Sequence, residues 1–178
     1  MPDYSRCTRR TFLHLSGVAC VLAAAPAWAA TAPRTLSFAH THTGEALTVT
    51  YWRDGHYVAE ALAAVNHVLR DFRSGELHVI DPALLDYLHA VQCSLGCDAP
   101  FGVISGYRCP ATNQMLQHAG SGVASSSLHL EGRAIDVRIP GIKTAKLRDT
   151  AAALRRGGVG YYSASGFVHL DTGRYRQW

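Results

Sequence analysis

His129 and Asp136 stand seven positions apart in the segment SSSLHLEGRAID, residues 125–136. On an ideal helix that spacing is nearly two turns and would place both on one face. Gly132 lies between them, and the run AIDVRI at 134–139 alternates apolar and polar residues as a strand does. The spacing therefore predicts a histidine before a turn and an aspartate in the strand after it. Near the C-terminal end, SGFVHLDTG at 165–173 places His169 in a second short apolar strand, with Asp171 two residues further on the same face. Two imidazoles and one carboxylate form a donor set suited to a divalent zinc ion with one coordination position left open, which is what a catalytic metal site requires. Taken singly, each residue has an ordinary reading: a loop histidine, a hydrogen-bonded core histidine, a capping or ion-paired aspartate. The chain has 10 histidines, so their number decides nothing and the argument rests on convergence.

The elements that must bring these residues together are legible as periodicity. Leu36–Phe38 and Leu47–Trp52 alternate around Thr43-Gly44 and read as a β-hairpin. Asp54-Gly55 breaks the chain, and Val58 to Phe72 has the apolar recurrence of an amphipathic helix. Asp81-Pro82 is a cap followed by a first-turn proline, opening a helix with the stripe Leu84, Leu85, Leu88 and Val91 that closes near Gly96. Phe101 to Tyr107 reads as a buried strand and Thr112 to His118 as a short helix. Thr144 to Arg155 reads as a further helix stopped by Gly157-Gly158, and GVGYY and GFVHLDT read as the last two strands. Helices around a small, mainly antiparallel sheet make an α+β domain.

The 178 residues suit one domain, with 48% hydrophobic and 17% charged residues, a globular composition. Residues 1–29 differ from the rest: Arg9-Arg10 precedes an apolar stretch that ends in Ala27-Trp28-Ala29. This is the design of a cleaved export signal of twin-arginine type, leaving 30–178 as a single domain with no membrane span. Cleavage lowers the formal charge from +4 to +2, with 14 basic and 12 acidic residues remaining and no Lys/Arg run, so nucleic acid is a poor partner. Three cysteines remain, Cys93, Cys97 and Cys109. An oxidising destination favours a disulfide among them, although the sequence does not say which pair forms.

Ser127-Leu128-His129-Leu130-Glu131-Gly132-Arg133-Ala134-Ile135-Asp136, followed by a late strand histidine, resembles the SxHxxGxAxD motif of the zinc D-Ala-D-Ala metallopeptidase superfamily. SGYRCPATN, Ser105 to Asn113, is similar to an element of the same group. HTGE at 42–45, LRDFRSGE at 69–76, IDP at 80–82, GGVGYY at 157–162 and the terminal FVHLDTGRYRQW narrow the resemblance to exported YcbK-like murein endopeptidases over nearly the whole mature chain. The resemblance implies that His129, Asp136 and His169 bind zinc, that Ser127 contacts the substrate peptide, and that Arg108 steadies a carbonyl or carboxylate in the site. It implies the α+β fold of that superfamily and peptidoglycan peptides as substrate; the export signal makes the periplasm the expected location, and a monomer is the expected form. The chain departs from the pattern at Gly166, where many members carry an acidic general base. Asp171 is then the first candidate for that role and Glu131 the second, with Asp171 equally suited to orienting a ligating histidine.

Other classes fit less well. A D,D-carboxypeptidase or dipeptidase differs in end-group recognition, which sequence does not display. A non-catalytic wall-binding module would not need the whole ligand set. A thiol enzyme on Cys109 lacks a flanking histidine. His40 and His42 could share a metal only with a third ligand that is not evident. Arg174 and Arg176 read as solvated charges or as contacts for acidic wall peptides, and Tyr161 and Tyr162 as core or cleft residues.

Overall fold

The computed structural model describes residues 32–120 and 124–178. The expected signal segment, residues 1–29, lies outside them. One eight-stranded sheet runs through the described residues in the order β3-β2-β1-β4-β5-β7-β6-β8. Its strands are β1 (Arg34–His40), β2 (Ala46–Arg53), β3 (His56–Tyr57), β4 (Phe101–Ser105), β5 (Ala134–Arg138), β6 (Gly158–Tyr162), β7 (Phe167–Asp171) and β8 (Arg176–Gln177). Four α-helices accompany it: α1 (Ala59–Val68), α2 (Pro82–Leu95), α3 (Pro110–His118) and α4 (Thr144–Leu154). None of them is long and apolar enough to cross a membrane.

The α+β reading holds, but the sheet is mixed rather than antiparallel. β1 pairs with β4 in parallel, Phe38 opposite Phe101 and His40 opposite Val103. Two helices, α1 and α2, lie between the first hairpin and β4, and a crossover of that length returns the chain in the direction it started. β8 also pairs in parallel, with β6. It lies on the outer side of β6, away from β7, so its reversal relative to β7 makes it run with β6.

The helix ends follow local chemistry. Asp81 caps α2 by accepting from the Ala83 N–H at 2.9 Å, and Gly96 ends it in the left-handed region at φ 62°. α1 stops at Val68, short of the expected Phe72, because Asp71 folds the following residues into a turn: its Oδ1 accepts from the Arg73 N–H at 2.9 Å. α3 begins two residues earlier than expected, at Pro110, with the Cys109 sulfur accepting from the Thr112 N–H. That thiol is buried, Cys97 is half-buried and Cys93 is exposed beside His89; no disulfide joins the three. The disulfide expected from the export signal is therefore absent among the described residues.

Alternation divides the central strands between two faces. Val103, Ile135, Val137, Val159, Val168 and Leu170 enter one core with the buried stripes of the helices. The helical stripe Leu84, Leu85, Leu88, Val91 is wholly buried there. Asp136, His169 and Gly160, out of phase with those residues, share the opposite face.

Candidate metal centre

Register builds half of the site. Asp136 of β5 lies directly opposite His169 of β7, and His169 lies opposite Gly160 of β6. On the other side, an irregularity between Val103 and Ser105 brings Ser105 opposite Asp136. Ser105, Asp136, His169 and Gly160 thus form one row across four strands. Gly160 is needed bare: a Cβ there would lie 2.6 Å from the Trp178 indole, whose ring sits 5.2 Å from that of His169.

His129 arrives from a single 3-10 turn, Leu128–Glu131, which the sequence periodicity was too short to reveal. Ser127 caps this turn, its hydroxyl accepting from the His129 N–H at 3.4 Å. Gly132 closes it with φ +65°, and a Cβ there would lie 2.1 Å from the Val79 carbonyl oxygen. Only glycine satisfies both the backbone conformation and that approach. The carbonyl of His129 accepts from the Arg108 N–H at 3.1 Å, which ties the loop after β4 to the same turn.

The three side chains converge. One ligand atom from each of His129, Asp136 and His169 lies within 4.8 Å of the others, and all three residues are buried. His169 Nδ1 is 2.9 Å from Asp136 Oδ1 and 3.2 Å from His129 Nε2, and the latter is 3.3 Å from the same carboxylate oxygen. The remaining nitrogen of each imidazole is occupied by the protein. His129 Nδ1 donates to the Gly106 carbonyl at 2.6 Å, and His169 Nε2 donates to Asp171 Oδ2 at 3.0 Å. These partners direct the His129 Nε2 and His169 Nδ1 lone pairs at Asp136. Electron-rich atoms at such separations need a proton or a cation between them, and the donor set suits zinc or a similar divalent metal.

The electrostatics agree. Burial opposes charge on His169, but hydrogen bonds to Asp136 and Asp171 outweigh it and raise its pKa to about 9. Burial would raise Asp136, yet the adjoining His129 and His169 hold its carboxyl well below the ordinary carboxylate range. Asp171 is shifted down in the same way, against its burial, by His169 and Arg176.

Asp171 does not face the open side of the site. It is fully buried, and both oxygens are engaged. Oδ2 accepts from His169 Nε2 and from Arg176 Nη2 at 2.7 Å; Oδ1 accepts from the Gly158 and Gly173 N–H groups at 3.0 and 2.8 Å. Glu131, the second candidate base, is exposed and pairs with Arg133 at 3.0 Å. Neither lines the cavity of about 520 Å³ that opens over the three ligand residues. Arg108 and Ser127 do. Arg108 is buried, donates to Asn113 Oδ1 at 3.3 Å, and lies 3.7 Å from Asp136 Oδ2; its Nε has no partner. Burial presses its pKa down while Asp136 resists the shift.

Trp178 and Phe167, which escaped sequence reasoning, form part of the wall. Tyr162, read as a core or cleft residue, lines the cavity, stacks on Phe167 at 4.6 Å and accepts from the Trp178 Nε1–H at 3.1 Å. Arg176 touches the cavity while its guanidinium is bound to Asp171. His40 and His42 are not a metal pair: His40 is buried with Nδ1 accepting from the His42 and Thr43 N–H groups, and His42 stacks on Phe72 at 4.3 Å. Tyr161 points to the helical face, beneath the Arg148 guanidinium.

Comparison with known proteins gives a family. A family model described as peptidoglycan L,D-endopeptidase MepK matches residues 28–178. The peptidoglycan L,D-endopeptidase MepK of Escherichia coli (strain K12) is 42% identical over 175 residues, covering 96% of this chain and 96% of that protein. The probable peptidoglycan L,D-endopeptidase MepK of Haemophilus influenzae is 37% identical over 182 residues, covering 99% of this chain and 98% of its own length. Among solved structures, the Serratia marcescens L-Ala D-Glu endopeptidase ChiX is 24% identical with a TM-score of 0.35, over 43% of this chain and 62% of that one.

Proposed function

This chain belongs to the peptidoglycan L,D-endopeptidase MepK family, and on that premise we propose that it is a zinc-dependent murein endopeptidase, hydrolysing L,D amide bonds of peptidoglycan peptides in the periplasm after export by the twin-arginine route. The observation that carries the reading is the convergence of His129, Asp136 and His169 beneath an open cavity, with the second ring nitrogen of each histidine already hydrogen-bonded to the protein. The motif residues that resemble the zinc D-Ala-D-Ala peptidases fall at this cavity, which supports assigning the domain to that fold.

His129 Nε2, Asp136 Oδ1 and His169 Nδ1 would hold the ion. When bound, zinc polarises the scissile carbonyl and activates water near neutral pH. The rest is the work of the chain. Arg108 lines the cavity beside Asp136, where its guanidinium would meet negative charge developing on the carbonyl oxygen, in a buried place where such an interaction is strong. Ser127 has its oxygen on the turn that carries His129 and its hydroxyl hydrogen available to the peptide. Asp171 positions His169 and fixes its proton on Nε2; it is a positioning residue rather than the base. Trp178 and Phe167 exclude water from one wall.

The test incubates the mature protein with defined cross-linked muropeptides, with and without a chelator, and identifies the products by mass. Cleavage abolished by chelation and restored by zinc is expected, as is inactivity of His129→Ala. A His129→Ala protein that cleaves at the wild-type rate would overturn the assignment.

A further inference from the structure

Ionic balance in the cavity is lopsided. Its lining includes Arg73, Arg108 and Arg176, and Asp136, already assigned to the proposed metal centre, is the only acidic side chain among the described lining residues. Arg176 is neutralised by Asp171, and Arg108 lies 3.7 Å from Asp136. Arg73 has no carboxylate within ion-pair distance among the described residues and is exposed at the cavity.

Arg73 is nevertheless held in place. Its guanidinium carbon lies 4.2 Å over the Phe72 ring, and the same ring stacks with His42, another cavity residue, at 4.3 Å and 5°. Below them the buried Asp71 accepts from the Arg73 N–H at 2.9 Å through one oxygen and from the Cys109 N–H at 2.9 Å through the other. One carboxylate thus ties the turn bearing Arg73 to the loop bearing Arg108. A buried acid thus fixes the turn and an aromatic ring supports the guanidinium, whose polar edge has no hydrogen-bond partner among the described residues. An oriented guanidinium recognises carboxylates with two donors at once and discriminates against their amides.

Resting on the proposed peptidoglycan peptidase activity, we propose that Arg73, held on Phe72 beside His42, is a specificity-determining residue that binds a free carboxylate of the substrate peptide. Stem peptides of peptidoglycan carry such carboxylates beside their cross-links, and some are found instead as primary amides. The site then reads the substrate at two places: the metal centre with Arg108 takes the scissile amide, and Arg73 takes an acid on the same peptide.

The experiment compares cross-linked stem peptides in which the carboxylate beside the scissile bond is free or amidated, using the zinc-loaded mature protein. The wild-type protein is expected to show a KM for the acid about tenfold below that for the amide, from one partly exposed charge-assisted pair. In Arg73→Gln the ratio falls to about one through a rise in KM for the acid, with kcat moved little; Arg73→Lys restores part of it. Added salt weakens the acid's advantage in wild type and not in Arg73→Gln. Arg53→Gln, on the exposed end of β2, keeps the wild-type ratio. Calorimetric binding of both peptides is measured alongside. If wild type cleaves neither peptide, the peptidase reading fails, and the acid-to-amide affinity ratio still decides the role of Arg73. A ratio near one in wild type, or a ratio unchanged in Arg73→Gln, overturns the proposal.

Discussion

Replacing Asp171 by Asn separates two roles that a carboxylate near a metal can play. Asp171 is fully buried and receives donors from four groups: His169 Nε2, the Arg176 guanidinium, and the Gly158 and Gly173 N–H groups. An amide of the same shape has one accepting oxygen and one donating nitrogen. If the oxygen stays on the two glycine N–H groups, the amide nitrogen faces His169 Nε2 and Arg176, donor against donor. The clash at His169 is relieved only by moving the imidazole proton to Nδ1, the atom that faces Asp136 and would bind the proposed ion. If the amide turns over, the two backbone donors lose their acceptor in a buried place. Loss of such an orienting partner typically lowers metal affinity about 10–100-fold, roughly 1.4–2.7 kcal/mol. In the turned-over orientation the cost is instead ~2–3 kcal/mol of stability for the under-satisfied backbone donors, and in either case the half-exposed Arg176 adds little because water reaches it. Competition against a chromophoric chelator at neutral pH reads the zinc affinity, and thermal unfolding reads the stability. Asp171→Asn is expected to bind zinc at least tenfold more weakly and to regain most of its kcat at saturating zinc. A variant with wild-type zinc affinity and no hydrolysis would identify Asp171 as the proton acceptor and refute the positioning role.

Gly132→Ala forces a left-handed residue and drives a Cβ onto the Val79 carbonyl, so unfolding should come ~2–5 kcal/mol more easily in urea, with zinc affinity reduced because the turn carrying His129 moves. Gly160→Ala places its methyl against the Trp178 indole; the expected outcome is a displaced indole, seen as a change in its fluorescence, with KM raised more than kcat is lowered. Burial pushes the Asp71 carboxyl up, but hydrogen bonds from Thr112 and from the Cys109 and Arg73 N–H groups outweigh it and leave its pKa below the ordinary 3.8. A carboxyl whose pKa is lower folded than unfolded stabilises the protein above the unfolded value and loses that contribution as pH falls through the folded one. Asp71→Asn should therefore be less stable at neutral pH and should show a flatter loss of stability below about pH 4 than wild type, as read by urea titration.

What the sequence could disclose about the site was limited by range. Gly132 between His129 and Asp136 disclosed a turn, and the alternation of AIDVRI and FVHLD disclosed two strands with Asp136 and His169 each out of phase with their apolar neighbours. Those are local facts, set by side chains within a few residues of one another. That Asp136 falls opposite His169 is a matter of register between β5 and β7, fixed by packing that no local pattern encodes. The parallel partnership of β1 and β4 is hidden for the same reason, since it depends on where α1 and α2 deliver the chain.

Asp171 shows the limit most sharply. Its spacing of two from His169 correctly places both on one face, and that much suggested a carboxylate beside the metal. Sharing a face does not say which nitrogen of the ring the carboxylate will meet. That is decided by the segment after β7, where Gly173 and Arg176 close over Asp171 and Gly158 donates from β6, so the carboxylate is withdrawn behind His169 rather than presented in front of it. Arg176 was the available signal. A carboxylate in a buried strand requires a cation, and the basic residues of GRYRQW are the nearest in sequence. Arg73 was less legible, since nothing local distinguishes it from other exposed arginines. Its placement depends on Asp71, which reaches 38 positions along the chain to Cys109, and on Phe72, which stacks with His42 from the turn after β1. The strand-borne ligands of the proposed metal centre are written in strand alternation, whereas the half proposed to meet the rest of the substrate is written in loops joined through one buried acid. Substitutions at Asp71 should accordingly disturb selectivity between substrates before they disturb the metal.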